Sequence, residues 1–350
     1  MSGGVDSSLS AKLMIDKGYE CIGCNMRLYE RDEEDEAGSK TCCSLDDVTD
    51  AREVAHRLGM PFYVFNFTGD FREKVICPFI ESYEKGRTPN PCIDCNRYMK
   101  FGKLCDRAKE LGCDKIVTGH YARIVFENGE YKLKKALDPD KDQSYVLWFL
   151  SQEQLAHTVF PLGEYKKSEV RKIAAECGFV NADKPDSQDI CFVPDGDYAK
   201  IIKDYTGREY PPGDYTDLEG KVIGRHRGIL HYTVGQRKGL GQAFLEPRYV
   251  CAIDPEKNTV TLGKNEDLFK REVKVAGFHW ISGKAPERAI RCGAKIRYRQ
   301  SEKSAKVTPI GEDLVLIEFD EPQRAITPGQ SAVLYDGDVV LGGGIIVREF

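Results

Sequence analysis

Apolar positions along the first half of the chain switch repeatedly between helical and strand-like spacing. Helical spacing occurs around Leu9, Leu13 and Met14 up to Gly18, and over residues 45–59, 70–85, 98–112, 145–150 and 166–178. Strand-like runs occupy residues 19–28, 61–67 and 113–120, and a hairpin over residues 122–136 turns on Asn128-Gly129. Strands that alternate with helices through short connections form a parallel sheet covered on both faces. We therefore predict a doubly wound α/β domain over residues 1–195.

The pattern changes after about Pro194 to short alternating runs separated by Gly and Pro. We predict a small central domain over residues 196–268 and an antiparallel β-barrel over residues 269–350. Tyr298 lies within a basic set that has only Glu287 and Glu302 as acids nearby in sequence: Arg288, Arg291, Lys295, Arg297, Arg299, Lys303 and Lys306. Cations with an aromatic suit phosphate contact and base stacking, although a solvated strand face explains them equally well.

Composition narrows the class of protein. The 350 residues suit two or three domains, and no apolar run is long enough to span a membrane. The 13 cysteines occur without a secretory leader, which favours reduced thiols and a cytoplasmic protein. The net charge of −5 means that nucleic acid could bind only through local basic surface.

The first residues, MSGGVDSS, lead directly into a helix. Glycines let the backbone approach an anion, the helix N-terminus offers N–H donors for phosphate, and Asp6 could hold Mg²⁺. A glycine turn with a serine cap is the simpler interpretation of the spacing alone. Such a loop normally follows a strand. No strand precedes Met1, so we expect the sheet to lack a central strand unless the native chain starts earlier.

A second motif, TPNPCIDCN, places Cys92 and Cys95 in C-x-x-C spacing. The prolines predict an extended approach, and the helical pattern that follows puts Cys95 near a helix N-terminus, which favours a thiolate. The same spacing is also typical of a redox pair or half of a zinc site.

Several other positions are candidates with simpler alternatives. Gly119 and His120 end a predicted strand at the edge where parallel sheets bind ligands. Residues 141–143 precede an apolar helix and could simply cap it. Cys191 follows Asp186, Ser187 and Gln188 in a short apolar run, where buried packing is the common role. We interpret the acidic run 30–36 as a solvated loop, and the adjacent Cys42 and Cys43 as structural or incidental.

Taken together, the motifs resemble those of one family. SGGVDSS resembles the loop of the PP-loop ATP pyrophosphatases. The ordered set TPNPxxxCN, GHYAR, DKDQSY, DSQxICF, GQRKGL, RYRQ and ITPGQ resembles the tRNA-specific 2-thiouridylases (MnmA/TrmU family) from end to end. The resemblance implies a PP-loop adenine-nucleotide-binding catalytic domain, a central domain and a tRNA-contacting barrel. It also implies ATP- and Mg²⁺-dependent adenylation of the wobble uridine, then thiolation at C2, in tRNAs for Lys, Glu and Gln.

The resemblance also implies roles for individual residues. ATP-binding residues would be Met1, Ser2, Gly3, Gly4, Val5, Asp6, Ser7, Met26 and Gly119. Residues that contact tRNA or the target base would be Asn90, Pro91, Cys92, His120, Lys141, Asp142, Gln143, Arg297, Tyr298 and Gln330. Cys191 would carry a persulfide received from a cysteine desulfurase or sulfur-relay protein, and Cys95 would be the nucleophile that forms a disulfide with it.

One departure from the family leaves the mechanism open. Many members carry Asp at the position of Cys92, whereas here Cys92, Cys95 and Cys191 make three thiols. Three cysteines with one open iron match the way related tRNA thiolases hold a four-iron four-sulfur cluster. Two other functions stay open on the sequence: a different PP-loop enzyme, such as a synthetase, and a non-catalytic tRNA-binding protein.

Overall fold

The computed structural model describes residues 1–29, 45–185, 190–193 and 196–348. The acidic run 30–36, Cys42, Cys43 and residues 186–188 lie outside these ranges, so the interpretations of those residues stay predictions. The chain divides into two compact units, which are Met1–Val75 with Cys92–Gly196 and Asp338–Val340, and Ile76–Pro91 with Asp197–Gly337 and Leu341–Phe350. No helix in the described ranges is long and apolar enough to cross a membrane.

The elements follow one another as the alternating pattern predicts. The helices are α1 Val5–Asp16, α2 Leu45–Arg57, α3 Thr68–Phe71, α4 Cys77–Glu84, α5 Pro91–Asp94, α6 Leu104–Glu110, α7 Gln152–Ala156, α8 Lys167–Glu176 and α9 Tyr198–Thr206. The strands are β1 Gly23–Arg27, β2 Phe62–Asn66, β3 Ile116–Val117, β4 Ala122–Glu127, β5 Glu130–Lys135, β6 Thr158–Val159, β7 Gly213–Thr216, β8 Val222–His226, β9 Tyr249–Asp254, β10 Thr259–Gly263, β11 Phe269–Trp280, β12 Ile290–Lys295, β13 Lys303–Pro309, β14 Val315–Arg324, β15 Ser331–Asp336 and β16 Val339–Ile346.

The first unit has the predicted parallel α/β character. β1 pairs in parallel with β2, and β3 pairs in parallel with β6, as two separate two-stranded sheets. The strands are shorter than their apolar runs predict. The hairpin β4–β5 turns at Asn128 and Gly129 with φ of 56° and 82°, the left-handed pair that its sequence predicts.

Three predicted helices of this unit end where glycine allows a left-handed residue. Gly18, Gly59 and Gly178 follow α1, α2 and α8 with φ of 85°, 69° and 65°. The predicted helix over residues 145–150 is wrong in type, because the segment is the 3₁₀ turn Ser144–Leu147. Its residues are all buried, so tertiary packing rather than helical propensity sets its conformation.

The second unit contains a four-stranded sheet in the order β8-β7-β10-β9, with β7 and β10 parallel. Helix α9 precedes it, although we predict only short strand-like runs in this Gly- and Pro-rich stretch. Asp197 caps the helix by accepting a hydrogen bond from the Lys200 amide at 3.1 Å, and Gly207 ends it at φ 64°. The sequence does not predict α9 because the Gly- and Pro-rich composition of the stretch hides a local capping signal at Asp197.

The predicted C-terminal barrel is confirmed. Six antiparallel strands run in the order β11-β14-β13-β12-β15-β16, and pairing of β16 with β11 closes the ring. Its core includes Val275, Ile317 and Leu334, each fully buried. Strand β14 brings Asp320 to Arg291, and Glu318 to Lys306 at 2.9 Å. The basic set is therefore partly neutralised by acids that are distant in sequence.

Candidate functional site

Two other segments of the first unit contact the N-terminal loop and hold it in place. Gly3 has φ of 74°, and a Cβ at this position would lie 2.5 Å from the Asp47 carbonyl oxygen. Asn181, which is 2% exposed, donates hydrogen bonds to the Gly3 carbonyl and the Ser8 hydroxyl, both at 2.9 Å. The Ser2 amide donates to the Ser7 hydroxyl at 3.1 Å. Only glycine fits at position 3, and the loop backbone is held in one shape.

Asp6 lies at the start of α1 inside a charged cluster. The Lys167 ammonium donates to both of its carboxylate oxygens, at 2.7 and 2.8 Å, and the Tyr121 hydroxyl donates at 2.7 Å. Lys167 is only 8% exposed. The Asp6 carboxylate is the kind of oxygen ligand that Mg²⁺ prefers, and in this structure both of its oxygens accept hydrogen bonds from Lys167. Lys167, Tyr121 and Asn181 escaped the sequence analysis, because nothing in their local motifs marks them as neighbours of the loop.

The end of β3 packs directly against this loop. A Cβ on Gly119 would lie 2.8 Å from the Asp6 carbonyl carbon and 3.0 Å from the Ser7 amide nitrogen. On the other side, Asn25 of β1 donates to the Met1 carbonyl at 2.9 Å, and the neighbouring Met26 is half-buried. The structure thus places Gly119 against the loop and Asn25, the residue before Met26, against Met1. Val5 is 2% exposed and packs into the core, so it can face a nucleotide only through its backbone.

The C-x-x-C motif lies one helical turn deeper than its sequence predicts. The helical run begins at Pro91, so Cys92 is in the first turn and exposed, whereas half-buried Cys95 starts the π-helix Cys95–Lys103. Proline is favoured at the first helical position because its missing N–H is not needed there. The expectation that Cys95 stands near a helix N-terminus is therefore wrong, and Cys92 holds that position.

Between the two cysteines lies a carboxyl group with altered acidity. Burial raises the pKa of Asp94 to about 6, and the charge of Arg97 only partly opposes this shift. A carboxyl with a pKa of about 6 exchanges protons close to neutral pH. The C-x-x-C spacing does not mark Asp94, whose acidity becomes apparent only from its burial in the structure.

Cys191 and the helix that carries Cys95 are both anchored to the short helix α3. The Tyr29 hydroxyl donates to the Cys191 carbonyl at 2.7 Å, and Phe192 packs edge-on against Phe71 of α3 with ring centroids 5.8 Å apart. Lys103, at the end of the π-helix, forms an ion pair with Asp70 of α3 at 2.7 Å. These contacts connect both cysteine-bearing segments to α3, although the two cysteines are far apart in sequence. Within the described ranges no three His, Cys, Asp or Glu side chains are grouped to hold a metal ion.

His120 is buried, at 5% exposure, and not on the surface. Its ring packs between Phe101 and Phe160, with Thr118 Oγ1 2.7 Å from Nδ1 and Lys100 Nζ 3.4 Å from Nε2. A direct contact of this ring with tRNA would need the side chain to leave its aromatic cage. Burial, and secondarily the Lys100 charge, hold the pKa of His120 well below its usual 6.5.

This buried ring makes acid stability measurable. The unfolded chain takes up a proton on this His below pH 6.5 and the folded chain does not, so stability falls as pH decreases through that value. We expect the free energy of unfolding to lose about 1.4 kcal/mol per pH unit below 6.5 from this one group. Urea unfolding of wild type and His120→Phe across the acid range checks this. Parallel pH curves for the two proteins would contradict it.

Residues 142 and 143 make hydrogen bonds within the first unit. Asp142 accepts hydrogen bonds from the Ala136 and Ser144 amides at 3.0 and 3.2 Å, and from the Ser144 hydroxyl at 2.8 Å. Gln143 accepts one from the Tyr121 amide at 3.0 Å. These contacts hold the segment that leads into the 3₁₀ turn in place, and the contact of residues 141–143 with tRNA stays a prediction. Lys141 is half-buried.

In the second unit, three motifs meet around Thr88. Gln330 donates to the Thr88 carbonyl at 2.8 Å, the Pro328 carbonyl accepts from the Thr88 amide at 2.9 Å, and the Thr88 hydroxyl lies 3.2 Å from that of Thr233. The ITPGQ and YTVGQRK segments therefore support the half-buried approach to Asn90. Gln330 supports this loop from within the fold.

Two further predicted tRNA contacts differ from each other in exposure. Arg297 is half-buried and donates to the Ala325 carbonyl and to the Thr327 hydroxyl. Tyr298 is 37% exposed, and the neighbouring Arg299 is exposed as well. Tyr298 is thus partly exposed at the surface, whereas Arg297 makes hydrogen bonds within the barrel.

Comparison with known proteins covers the whole chain. Family models match residues 1–195 (tRNA methyl transferase HUP domain), 199–264 (tRNA methyl transferase PRC-barrel domain) and 270–346 (Aminomethyltransferase beta-barrel domain). The tRNA-specific 2-thiouridylase MnmA of Clostridioides difficile is 50% identical over 353 residues, covering 100% of this chain and 97% of that protein. Those of Symbiobacterium thermophilum and Acetivibrio thermocellus are 51% and 49% identical, each covering 99% of this chain, and 91% and 97% of the relative.

These matches agree with the motifs and with the braced N-terminal loop. A HUP domain with this loop implies that the chain uses ATP. The similarity extends over both units and every motif quoted above, at about half of all positions. This chain therefore belongs to the tRNA-specific 2-thiouridylase (MnmA) family.

Proposed function

We propose that this protein thiolates C2 of the wobble uridine in tRNAs for Lys, Glu and Gln, using ATP. The observation that carries the proposal is the pairing of an anion-binding loop with two anchored cysteines in one unit. Asp6 and the loop lie against Gly119, while Cys95 and Cys191 both belong to segments held by α3. Relatives that are about half identical over nearly the whole chain are named tRNA-specific 2-thiouridylases.

The nucleotide site activates a poor leaving group. Uracil O2 does not leave as oxide or hydroxide, so ATP first transfers its adenylyl group to that oxygen and pyrophosphate departs. The loop amides and the serines at positions 2 and 7 would hold the pyrophosphate. Asp6, oriented by Tyr121, would hold Mg²⁺, which neutralises phosphate charge. Met26 and Gly119 would line the nucleotide.

Sulfur transfer would use both cysteines. A donor protein, such as a cysteine desulfurase or sulfur-relay protein, loads Cys191 as a persulfide. The Cys95 thiolate then attacks the inner sulfur, a Cys95–Cys191 disulfide forms, and hydrosulfide is released next to the adenylated C2. Hydrosulfide adds to C2, AMP leaves with the former O2, and an external dithiol reduces the disulfide.

The alternative mechanism holds a four-iron four-sulfur cluster on Cys92, Cys95 and Cys191. Exposed Cys92 and the shared anchoring of the other two are compatible with it. We favour the persulfide mechanism slightly, because the C-x-x-C spacing of Cys92 and Cys95 is also typical of a redox pair. Both mechanisms require the same adenylation step.

The remaining assignments follow from the same proposal. We divide the chain into a catalytic domain over residues 1–195, a central domain over residues 196–268 and a tRNA-contacting barrel over residues 269–350, and place it in the cytoplasm. Exposed Tyr298 would stack on tRNA, and Asn90, Pro91 and Cys92 would meet the target base. Lys141 would contact the backbone of the tRNA.

A reconstituted reaction tests the function. Purified protein, ATP, Mg²⁺, a cysteine desulfurase with cysteine as the persulfide donor, a dithiol, and unmodified tRNA for Glu are incubated, and the nucleosides are analysed by mass spectrometry. We expect 2-thiouridine at the wobble position and pyrophosphate release that depends on tRNA. A matched tRNA with cytidine at that position should give neither product. Pyrophosphate release without any tRNA, and no thiolated nucleoside, would overturn the proposal in favour of another PP-loop reaction.

A further inference from the structure

A half-buried cation, Lys100, is left uncompensated beside the nucleotide loop. Its ammonium contacts the His120 ring at 3.4 Å, and within residues 1–29, 45–185 and 190–193 no carboxylate pairs with it. The His120 ring is buried and carries no negative charge, so it cannot compensate the positive charge of Lys100. Partial burial of an unpaired cation is unfavourable. A site that tolerates this arrangement is suited to receive an anion.

The position of Lys100 indicates which anion. Thr118, Gly119 and His120 are consecutive, and Gly119 lies against the backbone of Asp6 and Ser7. Burial lowers the pKa of the Met1 amino group, and the positive charge of Lys100 lowers it further. Lys100 is therefore next to the N-terminal loop. It also lies in the same π-helix as Cys95, five residues later, about one turn in a helix of i to i+5 hydrogen bonds.

The orientation of His120 follows from hydrogen-bond chemistry. An ammonium can only donate, so Nε2 must be the unprotonated nitrogen and the proton is on Nδ1, which donates to the Thr118 hydroxyl at 2.7 Å. Phe101 and Phe160 prevent the ring from rotating freely. Thr118, His120 and Lys100 thus form a chain in which the first two residues fix the third.

We propose that Lys100 is a catalytic residue that contacts the α-phosphate of ATP and then the phosphate of the adenylated uridine, and that His120 is its positioning residue. This inference rests on the proposed function. The loop would take the pyrophosphate, and the α-phosphate would extend from it toward the helix with Cys95, where Lys100 stands. As sulfur bonds to C2, the C2–O bond breaks and its electron pair leaves with AMP. Lys100 stabilises that charge without transferring a proton, and the proton of the hydrosulfide passes to N3 of the uracil ring.

The test compares five variants in tRNA-dependent pyrophosphate release and in thiolation. Lys100→Met removes the charge at nearly equal length, and we expect both rates to fall by about 100-fold, the typical loss for one charge-stabilising donor. Lys100→Arg should keep at least about a tenth of the activity, since it keeps a cation. The control is Lys109→Met, an exposed lysine of α6 that pairs with Glu153 at 3.3 Å, and it should behave as wild type.

His120 supplies a readout that a purely structural role would not move. His120→Phe fits the aromatic cage but offers no acceptor, so we expect kcat to fall by about tenfold while KM for ATP stays within about threefold. His120→Gln restores an acceptor near the Nε2 position and should recover most of kcat. Melting temperatures of all variants separate unfolding from lost chemistry, and Lys100→Arg keeps the test informative if Lys100→Met does not fold.

The outcomes distinguish this inference from the function on which it rests. Wild-type protein without tRNA-dependent pyrophosphate release or 2-thiouridine would mean that the proposed function fails. Active wild type with Lys100→Met within about threefold of Lys109→Met would overturn the role of Lys100 alone. A His120→Gln variant no better than His120→Phe, with Lys100→Met impaired, would overturn the positioning role of His120.

Discussion

Cys95→Ala and Cys191→Ala are each expected to reduce tRNA thiolation by at least about 1000-fold, the scale of losing an essential nucleophile. Both variants should keep tRNA-dependent pyrophosphate release near the wild-type rate, because adenylation uses the N-terminal loop and not the thiols. Cys92→Ala should retain much of the thiolation, since Cys92 takes no part in the disulfide and alanine leaves in place the backbone that would meet the target base. Mass spectrometry of tRNA nucleosides and a pyrophosphate assay measure the two steps separately.

Cys113→Ala is the matched control, because it removes a half-buried cysteine that follows the same helical run. The wild-type protein should also show a Cys95–Cys191 disulfide after one turnover without reductant. The opposite result has a clear form. If anaerobically purified protein holds about four irons and loses them in all three variants, including Cys92→Ala, the cluster mechanism replaces the persulfide mechanism.

Local patterns in the sequence predicted most of the helices, because the signals that start and stop a helix lie within it. Gly18, Gly59 and Gly178 mark helix ends in the sequence and adopt left-handed φ values in the structure. The hairpin at Asn128-Gly129 and the closed barrel depend on similarly local turn and alternation rules. Helix α9 was missed where a Gly- and Pro-rich composition hid a short capped segment.

The candidate site was predictable only in part, because its geometry depends on residues far apart in sequence. The motif around Asp6 is visible in the sequence, but Lys167 and Tyr121, which hold its carboxylate, come from α8 and from the residue just before β4. The burial of His120 depends on two aromatic rings, one on either side of it in sequence. Periodicity records which face of an element is apolar. It does not record which element covers that face.

The helix that carries Cys92 and Cys95 shows a second limit. Prolines at positions 89 and 91 favour an extended approach, and residues 87–90 are indeed non-helical. The same Pro91 is also well suited to start a helix, and the structure uses it in that way. Two valid local rules overlapped at one residue. Because the helix starts at Pro91, Cys92 lies in its first turn and Cys95 lies in the next turn.

Gly119→Ala is expected to lower tRNA-dependent pyrophosphate release by about 100-fold, because displacement of a reacting group by about 1 Å costs that much. The added Cβ would lie 2.8 Å from the Asp6 carbonyl carbon, 2.9 Å from the Asp6 Cβ and 3.0 Å from the Ser7 amide nitrogen. Most of these atoms are backbone, so no side chain can swing aside. The loop must shift as a whole, away from the Asn181 and Tyr121 contacts that hold it.

The control for this substitution is Gly69→Ala on α3, where an added Cβ meets no heavy atom of the described residues within 4 Å. Alanine there should leave the reaction unchanged and make the protein about 0.5 kcal/mol more stable, because it restricts the unfolded chain. Thiolation should fall in parallel with pyrophosphate release in Gly119→Ala, since sulfur can displace only an adenylated oxygen. Normal pyrophosphate release with lost thiolation would instead mean that Gly119 contacts the sulfur site, and that the nucleotide loop does not depend on the end of β3.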